Sequence, residues 1–251
     1  MAKSIIAVLN QKGGVGKTTS TINLAAYLAK NHSVLVVDLD PQGNTTSGLG
    51  IEKQALKSTL YDVLFSRVEA KQAIIKIGKS NLYLLPTNAQ LANSEVELVS
   101  IADREQQLRR ALVNLDYDYI LIDCPPALGL LTVNALTAAT DVLIPVQAEY
   151  YALEGLGQLL EVIQQVHVAL NTNLNLLGVV VTLYDSRTGL SSQVKSELEK
   201  HFGEKVFKTV IPRNVRLAEA PSYGKTILEH DKWSKGARAY KALAKEVEAR
   251  T

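Results

Sequence analysis

Lys12-Gly13-Gly14-Val15-Gly16-Lys17-Thr18-Thr19 is the stretch on which the fold of this chain turns. Ahead of it lies an apolar, β-branched run, Ser4-Ile5-Ile6-Ala7-Val8-Leu9, and behind it a helical pattern through Ile22, Leu24, Ala25, Ala26, Tyr27 and Leu28. Strand, glycine loop and helix in that order form the setting in which a phosphate-binding loop works. Backbone N–H groups must turn inward and approach phosphate oxygens closely, and side chains at Gly13, Gly14 and Gly16 would obstruct them. The helix opening near Lys17 aims its N-terminal dipole at the anion. Lys17 is expected between the outer phosphates as a point charge, and the Thr18 hydroxyl as a Mg²⁺ ligand. A nucleoside triphosphate with Mg²⁺ is the expected ligand pair, with residues 12 to 19 lining the nucleotide.

Outward from that loop, short apolar runs alternate with helical stretches. The strand candidates are residues 4 to 9, 34 to 37, 82 to 85, 119 to 122, 142 to 146, 176 to 183 and 206 to 210. The helical stretches are 17 to 30, about 89 to 114, 129 to 138, 152 to 170, 190 to 201 and 236 to 249. This alternation predicts an α/β fold with a mostly parallel, twisted sheet covered by helices on both faces. With 251 residues, 47% of them hydrophobic and 21% charged, one domain spanning 1 to 251 is expected. In such sheets the site lies at the carboxyl ends of the strands, so the loops at 10 to 16, 38 to 46, 123 to 129 and 212 to 216 should meet around one ligand.

Two of those loops carry acids. The second strand runs into Asp38-Leu39-Asp40-Pro41-Gln42-Gly43-Asn44, whose two carboxylates leave the strand on one side, next to the phosphate loop. Turn-forming residues explain the bend, but carboxylates beside a triphosphate are repelled unless Mg²⁺ or an oriented water lies between. Tyr119-Ile120-Leu121-Ile122-Asp123 is a buried strand ending in an acid, and Pro125-Pro126 stop it from continuing. It fits a Walker B element in which Asp123 holds Mg²⁺ through water. Cys124, the only cysteine, is expected as a small buried residue, and a lone cysteine allows no intrachain disulfide.

One detail departs from the usual phosphate loop. Five residues before Gly16 stands Gln11 in place of glycine, and an extra lysine, Lys12, opens the loop. The run KGGVGKTT resembles the deviant Walker A motif of the ATPases that include ParA/Soj, MinD and the nitrogenase iron protein. VDLDPQGN, IDCPP and VIPRNVRLAEAP resemble the ParA/Soj forms of their segments, and the likeness covers Ile5 to about Tyr240, more loosely over 50 to 115. That resemblance implies that Lys12 reaches the partner's nucleotide in an ATP-dependent homodimer. It implies that Asp40 positions or activates the attacking water while Asp38 supports the Mg²⁺ shell. Pro212 and Asn214 take an adenine-contact role, and Arg187 and Arg216 become DNA-binding arginines. The implied activity is a chromosome- or plasmid-partitioning ATP hydrolase that binds DNA nonspecifically as a dimer and is stimulated by a ParB-like partner.

Charge points the same way. Residues 187 to 251 hold 14 Lys and Arg against 8 Asp and Glu, whereas the whole chain is only +2. A basic carboxyl-terminal part suits the backbone of a polyanion. Neighbouring families demand features not seen here: an iron–sulfur homodimer needs two cysteines per chain. The alternative, a MinD-like membrane-associated positioning ATPase, needs a bulky amphipathic terminal helix. The last helix offers only a narrow stripe, Ala237, Tyr240, Leu243, Ala244 and Val247, suited to packing on the domain, and Trp233 is expected as a core anchor. No signal peptide or membrane contact is expected, and the location implied is cytoplasmic and nucleoid-associated.

Overall fold

The computed structural model describes residues 4–150 and 155–251. Its strands are β1 Ser4–Val8, β2 Val34–Asp38, β3 Ile75–Ile77, β4 Leu82–Leu85, β5 Tyr119–Asp123, β6 Asp141–Gln147 and β7 Asn175–Thr182. They form one sheet in the order β3-β4-β2-β5-β1-β6-β7, parallel throughout except for the β3–β4 pair.

The strands are apolar on both sides because helices cover both sides. Ile6, Val8, Val34, Val36 and Leu121 pack with Leu24, Leu28, Tyr240 and Leu243 of helices Lys17–Leu28 and Lys235–Arg250. Ala7, Leu9, Leu35, Val37, Ile120 and Ile122 face the other way, toward Leu131 and Ala135 of helix Leu130–Ala138 and Leu156 and Leu159 of helix Leu156–Ala169. The chain leaves β1 for one side of the sheet and, after β5, crosses to the other side at β6. That reversal opens a crevice at the carboxyl ends of β5, β1 and β6.

Several expectations need correction. Residues 206 to 210 do not form a strand: the segment meets β7 at the isolated bridge Val179–Val206 and through the N–H groups of Phe207 and Ile211, which donate to the Val179 and Val181 carbonyls at 2.9 and 2.8 Å, and a second isolated bridge, Tyr184–Pro212, lies just past β7. Between them the N–H groups of Lys208 and Thr209 donate to the Glu246 carboxylate, both at 2.9 Å, which takes them out of the ladder. The long helix foreseen over 89 to 114 is broken into short turns, because Ile101 is extended and Asp103 is left-handed at φ 51°. Strand 176 to 183 ends one residue early, since Leu183 has φ 50°. Of the helix expected over 152 to 170, residues 152 to 154 lie outside the described residues, and the helix runs Leu156–Ala169. The antiparallel edge strand β3 was not foreseen. Trp233 is no core anchor: it is 76% exposed, because it precedes the Ser234 N-cap of the last helix and sits off its buried face. That face, Ala237, Tyr240, Leu243, Ala244 and Val247, is buried against the sheet as expected. No helix among the described residues is long and apolar enough to cross a membrane.

Candidate active site

The loop after β1 has the conformation its glycines predict. Gly14 and Gly16 have φ 75° and 89°, values that favour glycine. A Cβ built on Gly13 or Gly14 would meet nothing within 4 Å, so the space over their backbone is open to an incoming group. Gly16 is the N-cap of helix Lys17–Leu28 and supplies no side-chain cap. The first-turn N–H groups, with Thr18 and Thr19 half-buried among them, are left for an anion. Val15 is buried, and its carbonyl accepts the Thr182 hydroxyl at 2.7 Å, which ties the loop to the end of β7. Lys17 is 8% exposed and its Nζ donates to the Lys12 carbonyl at 3.1 Å. Burial pulls its ammonium below the usual range, opposed by the nearby charges of Asp123 and Asp40.

The register of β2 on β5 sets Asp38 opposite Asp123, both fully buried. Asp123 Oδ2 accepts the hydroxyls of Thr18 at 2.8 Å and Thr45 at 2.7 Å, and Oδ1 accepts Thr21 at 3.3 Å. Asp38 Oδ2 accepts the N–H of Thr46 at 2.7 Å and its hydroxyl at 2.6 Å, and Thr46 Oγ1 in turn accepts the Thr87 N–H at 3.0 Å. Asp38 Oδ1 is buried without a hydrogen-bond partner. Burial, reinforced by the Asp123 charge, pushes Asp38 up to about 8. Burial raises Asp123 to about 6 against the hydroxyls of Thr45 and Thr18. Two buried acids side by side, one with an orphaned oxygen, and a threonine hydroxyl at the same carboxylate form an all-oxygen set that fits Mg²⁺. Among the described residues no three His, Cys, Asp or Glu side chains gather as a metal cage, so water and phosphate oxygens would complete that shell. Cys124 is buried as expected, and burial raises its thiol well above the ordinary value.

Asp40 is 9% exposed at the mouth of the same crevice, and its Oδ1 accepts the Gln42 N–H at 2.9 Å to shape the turn. Lys12 lies on the surface, with Nζ 2.9 Å from Glu149 Oε2. Pro212 bridges Tyr184 just beyond β7, with Arg213 N–H donating to the Tyr184 carbonyl at 3.0 Å. Since Thr182 of β7 holds Val15, this places Pro212 on the phosphate-loop side of the sheet. Asn214 is partly spent, because its Oδ1 accepts the Leu217 N–H at 3.3 Å as N-cap of Val215–Glu219. Its amide N–H groups are the donors left for a base edge. Farther along, a Cβ on Gly50 would come 3.0 Å from the Gly224 carbonyl, so the 212 to 224 segment also packs against the loop that follows Asp40.

Arg187 and Arg216 stand on the surface, their side chains 85% and 56% exposed. Arg187 grips Asp185 in a bidentate pair at 2.9 and 2.7 Å and holds that carboxyl well below the usual range. Arg216 pairs with Glu219 at 2.9 Å and approaches Asp231 at 3.7 Å. Thr21, Thr45, Thr46, Thr87 and Glu149 were absent from the sequence-derived site. Thr45-Thr46 directly follow the acid-rich loop and could have been found there; Thr87 and Glu149 carry no local signal.

Comparison with known proteins gives consistent relatives. Residues 3–176 match a family model described as an AAA domain. The sporulation initiation inhibitor protein Soj of Bacillus subtilis is 56% identical, over 98% of this chain and 98% of its own length. The chromosome partitioning protein ParA of Caulobacter vibrioides is 49% identical over 98% of this chain and 94% of its own. Among solved structures, cobyrinic acid a,c-diamide synthase of Mycobacterium smegmatis with bound ADP and magnesium superimposes with a TM-score of 0.85 at 40% identity, covering 98% of this chain and 93% of that one.

Proposed function

Since the chain belongs to the family of Soj and ParA chromosome-partitioning ATPases, we propose that it uses ATP hydrolysis at the β1 loop to switch its hold on DNA. Residues 1 to 251 act as one ATPase domain. The observation that carries this reading is the buried pair Asp38–Asp123 with its orphaned oxygen, set beside an uncapped helix N-terminus and an open glycine loop.

ATP lies along residues 12 to 19, its phosphates over Gly13, Val15 and Gly16 and its adenine near Pro212 and Asn214. Thr18, Asp123 and Asp38 would hold Mg²⁺ directly or through water, and the ion would supply positive charge beside the phosphate oxygens. Lys17 leaves the Lys12 carbonyl to stabilise the γ-phosphoryl group as charge shifts toward the leaving oxygen. Asp40 orients a water in line with the γ-phosphorus; the water oxygen bonds to phosphorus, the bond to the bridging oxygen breaks, and the products are ADP and phosphate. Lys12 reaches the partner's nucleotide, so ATP closes two protomers face to face.

The dimer pools the arginines of two protomers on one polyanion. Pooling raises affinity and steepens salt dependence, so monomer–dimer exchange becomes a DNA on–off switch. Arg187 and Arg216 contact phosphates of nonspecific duplex, and a ParB-like partner speeds the hydrolysis that releases the dimer. Such a protein is cytoplasmic and rides the nucleoid. The buried apolar stripe of the last helix speaks against a MinD-like lipid anchor. A gel-shift titration of nonspecific duplex with ATP, ADP or no nucleotide, at two salt concentrations, tests this. Binding only with ATP, weakened steeply by salt, is expected. No DNA binding with ATPase activity intact would refute it and make liposome binding the next test.

A further inference from the structure

Each cation that this reading sends outside its own protomer is already paired to a carboxylate of its own chain: Arg187 to Asp185, Arg216 to Glu219 and Lys12 to Glu149. For the arginines the acid lies two or three residues away, an ordinary local surface pair. For Lys12 the acid lies 137 residues away, and both segments are fastened before the side chains meet. On the loop side, Asn10 Nδ2 donates to the Pro145 carbonyl of β6 at 2.8 Å, and Asn10 Oδ1 accepts the Lys12 N–H at 3.0 Å. Gln11 Nε2 donates to Gln158 Oε1 of helix Leu156–Ala169 at 3.0 Å. On the β6 side, Ala148 N–H donates to the Thr182 carbonyl at 3.0 Å and the Gln147 amide donates to Glu149 Oε1. The two charges are thus delivered to one point by the sheet. Their side chains remain 43% and 45% exposed, so the pair can also open at small cost.

We propose that Glu149 is a positioning residue for Lys12, holding the lysine on its own protomer in competition with the phosphates of the partner's nucleotide. The inference rests on the trans role of Lys12 proposed above. While Glu149 neutralises the ammonium, the protomer surface offers less positive charge to an approaching triphosphate. Closure therefore exchanges a carboxylate for phosphate oxygens, and Glu149 sets the protein concentration at which ATP closes the dimer. An exposed pair of this kind is worth about 1.4- to 5-fold per protomer. The pair opens twice per dimer, which makes roughly 2- to 30-fold in the dimer dissociation constant.

Sedimentation of the full chain with Mg²⁺ and a non-hydrolysable ATP analogue, over a protein concentration series, tests this. Glu149→Gln should tighten the dimer by roughly 2- to 30-fold at 50 mM salt, with the gain shrinking by 500 mM as screening weakens the pair. In a Lys12→Ala background the same substitution should change nothing, which a merely structural effect of Glu149 would not predict. Glu149→Ala, checked for an unchanged melting temperature, should act like Glu149→Gln. Dimerisation no tighter than wild type, or an equal gain without Lys12, overturns the role of Glu149. A Lys12→Ala protein that dimerises and turns over like wild type refutes the trans lysine itself, a failure read from a different variant.

Discussion

Removing Arg187 and Arg216 together, as Arg187→Ala with Arg216→Ala, should flatten the salt dependence of DNA binding by a calculable amount. Both guanidinium groups are exposed and pair only with nearby surface acids, so the fold should tolerate their loss to within about 0.5 kcal/mol. Each phosphate neutralised on duplex DNA contributes about −0.9 to the slope of log affinity against log salt. Two arginines on each of two protomers make about four contacts, or about 3.6 in slope. Over a fourfold rise in salt, from 50 to 200 mM, that is roughly a 150-fold fall that the wild type shows and the variant does not. Absolute affinity should drop by more than the contacts alone, because Asp185, Glu219 and Asp231 would each lose an arginine partner and present less compensated negative charge to the DNA backbone. Fluorescence anisotropy of a labelled nonspecific duplex, with Mg²⁺ and an ATP analogue and with the dimer verified by sedimentation, measures the slope. A slope unchanged to within one contact would show that these arginines touch no phosphate and that the basic surface lies elsewhere.

Asp40→Ala should still bind ATP and accumulate as a dimer, with turnover lowered by about 10²- to 10⁴-fold; ordinary phosphate release from that variant would remove Asp40 from the mechanism. Thr46→Val takes the hydroxyl donor from Asp38 and the acceptor from the Thr87 N–H at a site with no exposure. Its expected cost is about 2–4 kcal/mol in urea unfolding, and a loss under about 0.5 kcal/mol would refute the network. The pH dependence of metal-free protein follows from Asp38, which is pushed up to about 8 from an ordinary value of 3.8. The folded form holds a proton that the unfolded chain has released, so this contribution is full below about pH 4 and is lost as pH rises through about 8. Asp123, raised to about 6, acts in the same sense. Urea midpoints in EDTA should fall from pH 6 to pH 8, less so in Asp38→Asn; a rising midpoint would contradict the buried-acid account.

Much of this molecule is written in short windows of sequence. The glycine loop announces itself because backbone conformation at Gly14 and Gly16 depends on those residues alone, and the flanking strand and helix follow from periodicities of a few residues. The same local logic foresaw the parallel sheet, the acids at the ends of β2 and β5 and the buried face of the last helix. Local logic failed where a competing partner came from far away. Residues 206 to 210 have strand-like composition, yet Glu246 captures the N–H groups of Lys208 and Thr209 in the middle of the run. Trp233 is as apolar as any core residue, but it falls just outside the helix whose face is buried.

The phosphate-binding loop, the alternation of the central strands with their helices and the residue types available to the site can thus be read from short windows of chain, while the edge strand β3 and the broken segment 89 to 114 cannot. That Asp38 meets Asp123 in register, that Thr46 links Asp38 to Thr87 and that Lys12 rests on Glu149 are products of the assembled sheet. The physical reason is range. Backbone propensity and side-chain periodicity act over a turn or two of chain, whereas a pairing across 137 residues exists only once strand order has brought β1 beside β6.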